Sequence, residues 1–361
     1  MKIEKLDQNM AVNISANETG IRWYTPHQKP FSLCGFPFYE ENKNFYRLPH
    51  FIEPLLAQER PQLLELMRHT AGGALRFCTD SREIRVRVQL EAPAYMSHMT
   101  TAGQCGYDCY LRQPGQKDWL FAGVTKYPIQ AQAYDCCVFS QPKKQTWEVL
   151  LYFPLYIGVE KIEIGLCEGA SLGKGSDFSR KGAVGFYGTS VTQGGCASRP
   201  GMSYPAILGR LLDCEVYNWG FSGNGMANAF LGPIFTSLAE LRLLAVDIED
   251  NAGPANLLEQ NLPAFLDAVR TTAPQLPVLV ISGTSQPREN WDMTFRQKKS
   301  QWCEFQRIEV LGRQERGDNH IYFFDGHLLP MDDATVDGVH LTDLGFSRTA
   351  DALFPILQQI M

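Results

Sequence analysis

Between residues 168 and 181 the sequence turns to Gly, Ser, Lys and Asp, and the apolar residues keep a different period on either side. Before this stretch, residues 74–79, 83–90, 106–112, 146–153 and 161–167 are short runs rich in β-branched and aromatic residues. Several alternate apolar with polar, as in Ile-Arg-Val-Arg-Val-Gln-Leu at 84–90. That period of two predicts antiparallel strands with one wet face per sheet, a β-sandwich. Residues 58–69 read as a short helix. After the stretch, apolar runs at 183–187, 215–218, 241–248, 278–281 and 321–324 alternate with helical periodicity, clearest over 255–272 and 342–360, with Thr342 as an N-cap. Apolar strands each followed by an amphipathic helix predict a parallel sheet covered on both faces. A chain of 361 residues exceeds one comfortable core. The expected domains are therefore residues 1–175, the β-sandwich, and 180–361, the α/β domain, whose functional residues belong at the carboxyl ends of its strands.

A net charge of −6 without a Lys/Arg stripe argues against nucleic acid as a partner. No apolar run approaches the roughly 20 residues of a spanning helix, so no membrane partner is expected. The first nine residues carry no apolar stretch behind their charges, which predicts no signal peptide. Cys78, Cys137, Cys167 and Cys214 sit in apolar runs, and no Cys-x-x-Cys spacing occurs. Both features predict reduced thiols, a cytoplasmic protein and no zinc site.

Four segments of the second half each follow a strand. Residues 184–195 run Val-Gly-Phe-Tyr-Gly-Thr-Ser-Val-Thr-Gln-Gly-Gly, which sets Ser190 at a strand's carboxyl end. Residues 218–225, Asn-Trp-Gly-Phe-Ser-Gly-Asn-Gly, form a glycine-rich loop able to aim backbone N–H groups at an oxyanion. Residues 246–251, Val-Asp-Ile-Glu-Asp-Asn, end on a side-chain amide, Asn251, that can donate to the same charge. Asp337 and His340 lie three apart before the last helix, a spacing that lets a carboxylate fix an imidazole's tautomer. Singly, these segments are also ordinary turn, cap and loop chemistry.

Their order is specific. A Gly-x-Ser, a glycine-rich loop, an Asn after a strand and a terminal Asp-x-x-His resemble the four blocks of the SGNH (GDSL-like) hydrolase superfamily, over residues 183–361. The resemblance implies a three-layer α/β/α, flavodoxin-like domain acting as a carboxylic ester hydrolase. It implies Ser190 as nucleophile, His340 as base and Asp337 as orienting acid. The oxyanion hole would be the Ser190 and Gly223 N–H groups with the Asn251 amide, Asn224 and Gly220 being substitutes. Two departures stand out: Gly-Thr-Ser replaces Gly-Asp-Ser, and the third block reads Asp-Asn rather than Asn-Asp. The first half is similar to the jelly-roll-like sandwich preceding the catalytic domain in some bacterial members. The stretches concerned are 45–49, 94–103 and 153–160, and the comparison suggests a carbohydrate-binding-like module.

Gly169-Ala-Ser-Leu-Gly173 imitates a nucleophile elbow, but a linker rather than a helix follows it. Trp219 and Trp291 follow strand ends and are candidates for an acyl or sugar platform. His98, in a Met/Thr/Gly loop, is a candidate for covering the site, and His327 for its rim. The expected reaction is hydrolysis of a small acyl ester, acetyl on a carbohydrate, with no metal and no cofactor. The alternatives are acyl transfer by the same residues and a non-catalytic carbohydrate-binding protein. Acyl length, the alcohol and the oligomeric state are not legible.

Overall fold

A computed structural model describes residues 3–13 and 20–361; the first two residues of the stretch read for a leader lie outside these. The chain forms two compact units. One comprises Met1–Glu59, Met67–Asp177 and Ser198–Gly201.

Its strands are β1 (Ile21–Tyr24), β2 (Ser32–Cys34), β3 (Ala74–Thr79), β4 (Glu83–Leu90) and β5 (Asp108–Arg112). They are followed by β6 (Leu120–Val124), β7 (Ala133–Ser140), β8 (Trp147–Tyr152), β9 (Val159–Cys167) and β10 (Leu172–Gly173). One antiparallel sheet has the order β1-β9-β4-β7 and the other β10-β3-β8-β5-β6, with β2 beside β3. Alternate residues of both sheets enter one core, for example Ile84, Val86 and Val88 with Val149 and Leu151. This is the expected sandwich. The opposite face of β4 is drier than its alternation suggests. Arg85 is buried, held by Asp135 at 2.8 Å, and Trp23 lies over both Arg85 and Arg87. The imitation elbow ends in β10, paired antiparallel to β3, so it launches no helix.

The second unit comprises Arg60–Leu66, Phe178–Ala197 and Met202–Met361. The helix expected over 58–69 is two pieces, Glu53–Glu59 and Gln62–Leu66, interrupted around Pro61. Five parallel strands follow: β11 (Ala183–Gly188), β12 (Glu215–Gly220), β13 (Leu241–Asp247), β14 (Val278–Ile281) and β15 (Ile321–Phe324). Their order, β12-β11-β13-β14-β15, is that of a flavodoxin-like doubly wound sheet. Helices Tyr204–Leu212 and Asp343–Ile360 pack on each other, as do Leu231–Thr236, Leu258–Thr272 and Met293–Glu315. Covered on both faces, β11 and β14 are buried throughout. Among the described residues no helix is long and apolar enough to cross a membrane.

Candidate active site

Strand β11 delivers Ser190. Thr189 is extended and caps a short helix, Ser190–Gln193, accepting a hydrogen bond from the Val191 N–H at 3.3 Å. This sharp exit puts the serine at the carboxyl end of an interior strand, β11 between β12 and β13, where ligands meet such sheets.

His340 comes from the other end of the sequence. Residues 334–342 double back on themselves: the Val336 N–H donates to the His340 carbonyl at 2.8 Å, and the Thr342 N–H to that of Ala334 at 2.8 Å. Gly338 turns the chain at φ +92°, a conformation side-chain-bearing residues rarely adopt. The turn is tied to the serine loop by the Cys196 N–H, which donates to the Leu341 carbonyl at 3.0 Å. The result is a continuous polar chain: Ser190 Oγ lies 2.9 Å from His340 Nε2, and His340 Nδ1 lies 2.7 Å from Asp337 Oδ2. The second Asp337 oxygen accepts the N–H groups of Val339 and His340 at 3.0 and 2.8 Å. Partial burial alone would raise the Asp337 pKa; the His340 ring and these two N–H groups outweigh it and hold the carboxyl at about 2. Asp337 is thus a carboxylate at neutral pH, an acceptor that keeps the imidazole proton on Nδ1 and leaves Nε2 to face the serine.

The glycine-rich loop is braced from both sides. Gln193 Oε1 accepts the Ser222 N–H at 3.0 Å, and Asn218 donates to the Thr192 carbonyl at 2.8 Å. Gly225 packs so closely on the end of β11 that a Cβ there would meet the Gly188 carbonyl oxygen at 2.4 Å. The Gly225 N–H donates to Asn251 Oδ1 at 3.1 Å. Asn251, half-buried in the short helix Glu249–Ala252, therefore has its oxygen spent and its amide nitrogen left as a donor.

The substitutes differ. Asn224 donates to the Ser222 carbonyl at 3.1 Å and accepts from Arg60 at 2.9 Å, so both ends of its amide brace the loop. The Gly220 N–H is committed to Asn218 Oδ1 at 2.9 Å, which removes it as an oxyanion donor. The Gly223 N–H makes no hydrogen bond among the described residues. Trp219 is corrected: it is fully buried and stacks on Phe235 at 4.2 Å, because strand β12 has helices on both faces. His98 is exposed in its loop of the first unit. His327 is hydrogen-bonded to buried Glu249 at 3.1 Å.

Two features escaped the sequence reading. One is a buried charge cluster: Lys299 Nζ lies 2.7 Å from Glu249 and 3.0 Å from Asp250, on either side of which Gln306 and Gln286 donate to the same carboxylates. Burial works against ionised Glu249, but Lys299 and His327 outweigh it and keep the carboxyl charged. The other is a cavity of about 640 Å³ that shares Asp337, Gly338 and Val339 with the histidine turn and is walled by Trp291 and Trp302.

A parallel doubly wound sheet presenting serine, imidazole and carboxylate in line at its carboxyl end is the architecture of an SGNH-type acylhydrolase. Residues 181–358 match the GDSL-like lipase/acylhydrolase family, and residues 21–172 match the N-terminus of SGNH-hydrolase-type esterases. The chain belongs to the SGNH (GDSL-like) hydrolase superfamily. Among solved structures it is similar to a protein from Bacteroides ovatus described as a GDSL-like lipase, with 26% identity, 94% of this chain and 98% of that one covered, and a TM-score of 0.84. It shares its fold with a salicylyl-acyltransferase from a tetracycline biosynthetic pathway (17% identity, 95% and 98% covered, TM-score 0.74). The same holds for a family two carbohydrate esterase from Cellvibrio japonicus (14% identity, 94% and 98% covered, TM-score 0.60). No curated protein matches the chain.

Proposed function

We propose that this chain is a serine esterase that removes small acyl groups, acetyl above all, from carbohydrate hydroxyls through an acyl-enzyme on Ser190. The observation that carries the reading is the polar chain from Ser190 Oγ through His340 to Asp337, at 2.9 and 2.7 Å. Ser190 Oγ attacks the ester carbonyl as His340 Nε2 takes its proton. Asp337, ionised and bonded to Nδ1–H, stabilises the imidazolium that forms. The Ser190 and Gly223 N–H groups and the Asn251 amide receive the oxyanion. Collapse breaks the ester bond, and His340 returns the proton to the departing alcohol oxygen. Water, activated by the same imidazole, then releases the acid and restores Ser190. The serine proton thus leaves on the alcohol, and the attacking water supplies both the hydroxyl of the acid and the proton that restores Ser190.

The carbohydrate assignment draws on the carbohydrate esterases among the fold relatives. The acyltransferase among them favours a second reading, in which an acceptor alcohol replaces water. The ten free thiols fit a reducing compartment, the cytoplasm, which cell fractionation tests.

Ser190→Ala is expected to abolish turnover of a simple acetyl ester with the fold intact by circular dichroism; full activity would remove the nucleophile. Asn251→Ala is expected to lower kcat by roughly 10²–10³, as loss of one oxyanion donor does. A silent Asn251→Ala beside a crippled Asn224→Ala would reverse that assignment. Product analysis with and without an acceptor alcohol separates hydrolysis from transfer.

A further inference from the structure

The segment between β14 and the helix Met293–Glu315 carries an aromatic residue that packing does not explain. Trp291 is 72% exposed, at the end of a single helical turn, Pro287–Asn290. Burying an indole removes on the order of 150–250 Å² from water, so this ring, on the wall of a cavity, offers a ligand a large rigid contact face. The same wall holds Trp302 edge-on to Phe295, with centroids 6.3 Å apart and planes at 81°. The polar side is fixed rather than mobile. Asp250 lines the cavity with Oδ1 held by Lys299 at 3.0 Å and Gln286 at 2.9 Å, which leaves its second oxygen to accept from a hydroxyl.

Position determines which half of the ester belongs here. A histidine that takes the serine proton must return it to the leaving oxygen, so the alcohol lies on the histidine's side of the serine. The cavity shares Asp337, Gly338 and Val339 with the turn that carries His340. Its 640 Å³ falls within the range of small-molecule pockets, roughly 300–1,000 Å³. Aromatic faces beside a fixed carboxylate suit a ring with apolar C–H faces and an equatorial rim of hydroxyl donors.

We propose that this cavity is the subsite for the alcohol half of the ester, and that it takes a pyranose ring laid against Trp291 with a hydroxyl donating to Asp250. The proposal rests on the Ser190–His340 reading for its orientation. The test is the ratio of kcat/KM on mono-acetylated methyl glucopyranosides to kcat/KM on ethyl acetate, in wild type and in Trp291→Ala. The ratio is expected to fall about tenfold, the size of one lost aromatic contact. An unchanged ratio overturns the proposal, and so does an equal dependence on Trp291 for phenyl acetate, which would make the site one for aryl alcohols. Binding decides independently of turnover. By calorimetry, the acetylated pyranoside should bind Ser190→Ala and lose about tenfold in affinity in Ser190→Ala/Trp291→Ala. Equal binding by both, or none by either, overturns the subsite; activity persisting in Ser190→Ala would instead overturn the nucleophile.

Discussion

Two carboxyls of the α/β unit are driven in opposite directions by their surroundings. Asp337 is held at about 2 because donors three residues away outweigh its partial burial. Asp247, at the end of β13, is enclosed; burial and the charge of nearby Asp250 push it up to about 7, against the hydrogen bonds donated by Thr192 and Tyr204. A folded pKa above the unfolded one stabilises the fold at low pH, and that contribution is lost as pH rises from about 4 towards 7. Asp247→Asn keeps the neutral shape and cannot ionise. Its stability relative to wild type is therefore expected to improve across that span and then stay level. Thermal midpoints of both proteins over this pH range test it, and a constant gap would refute the linkage. Asp337 was legible in the sequence because its partner is three residues away. The partners of Asp247 are 55 and 43 residues away, a pairing no local pattern encodes.

Which elements could be read follows from their length and composition. The first-half strands recognised by their β-branched and aromatic residues, β3, β4, β5, β8 and β9, are all interior to their sheets. Those missed are the edges β1, β6, β7 and β10, together with β2, which pairs only with β3. Four of these, β1, β2, β6 and β10, are only two to five residues long, too short to show a period, while β7 buries Tyr134, Cys136 and Val138 but carries two cysteines and an aspartate in its run. The helix Met293–Glu315 was missed for another reason. Its inward positions, Lys299, Cys303, Gln306, Val310 and Arg313, keep helical spacing, but three of the five are polar. Hydrophobic periodicity cannot detect a helix that faces the core with charge. Lys299 is the centre of that arrangement, fully buried between Glu249 and Asp250 on the strand-end segment that also carries Asn251. Replacing it by methionine leaves two carboxylates without their cation, which is expected to cost roughly 3–5 kcal/mol. Urea unfolding followed by tryptophan fluorescence measures this. An unchanged midpoint in Lys299→Met would mean that the cluster does not hold the segment in place.

At the scale of the chain, the site-bearing unit is not one continuous stretch. The change of composition at 168–181 suggests a simple cut, yet this unit also includes Arg60–Leu66, far upstream. Leu63 is fully buried, and Arg60 donates to Asn224, the residue that braces the glycine-rich loop. A fragment of residues 178–361 would lack both. Losing a buried leucine costs about 2–5 kcal/mol, and leaving a buried acceptor unmade about 1–3 kcal/mol. Together they approach the whole stability of an ordinary domain, about 5–15 kcal/mol. The fragment is therefore expected to melt below the corresponding transition of the full chain and to hydrolyse a small acetyl ester poorly. Arg60→Ala/Leu63→Ala in the full chain should reproduce most of that loss by calorimetry, which separates the effect of this segment from that of the rest of the deleted half. If the double variant melts like wild type and the fragment keeps full activity, residues 60–66 are dispensable and the α/β unit is complete from residue 178 onward.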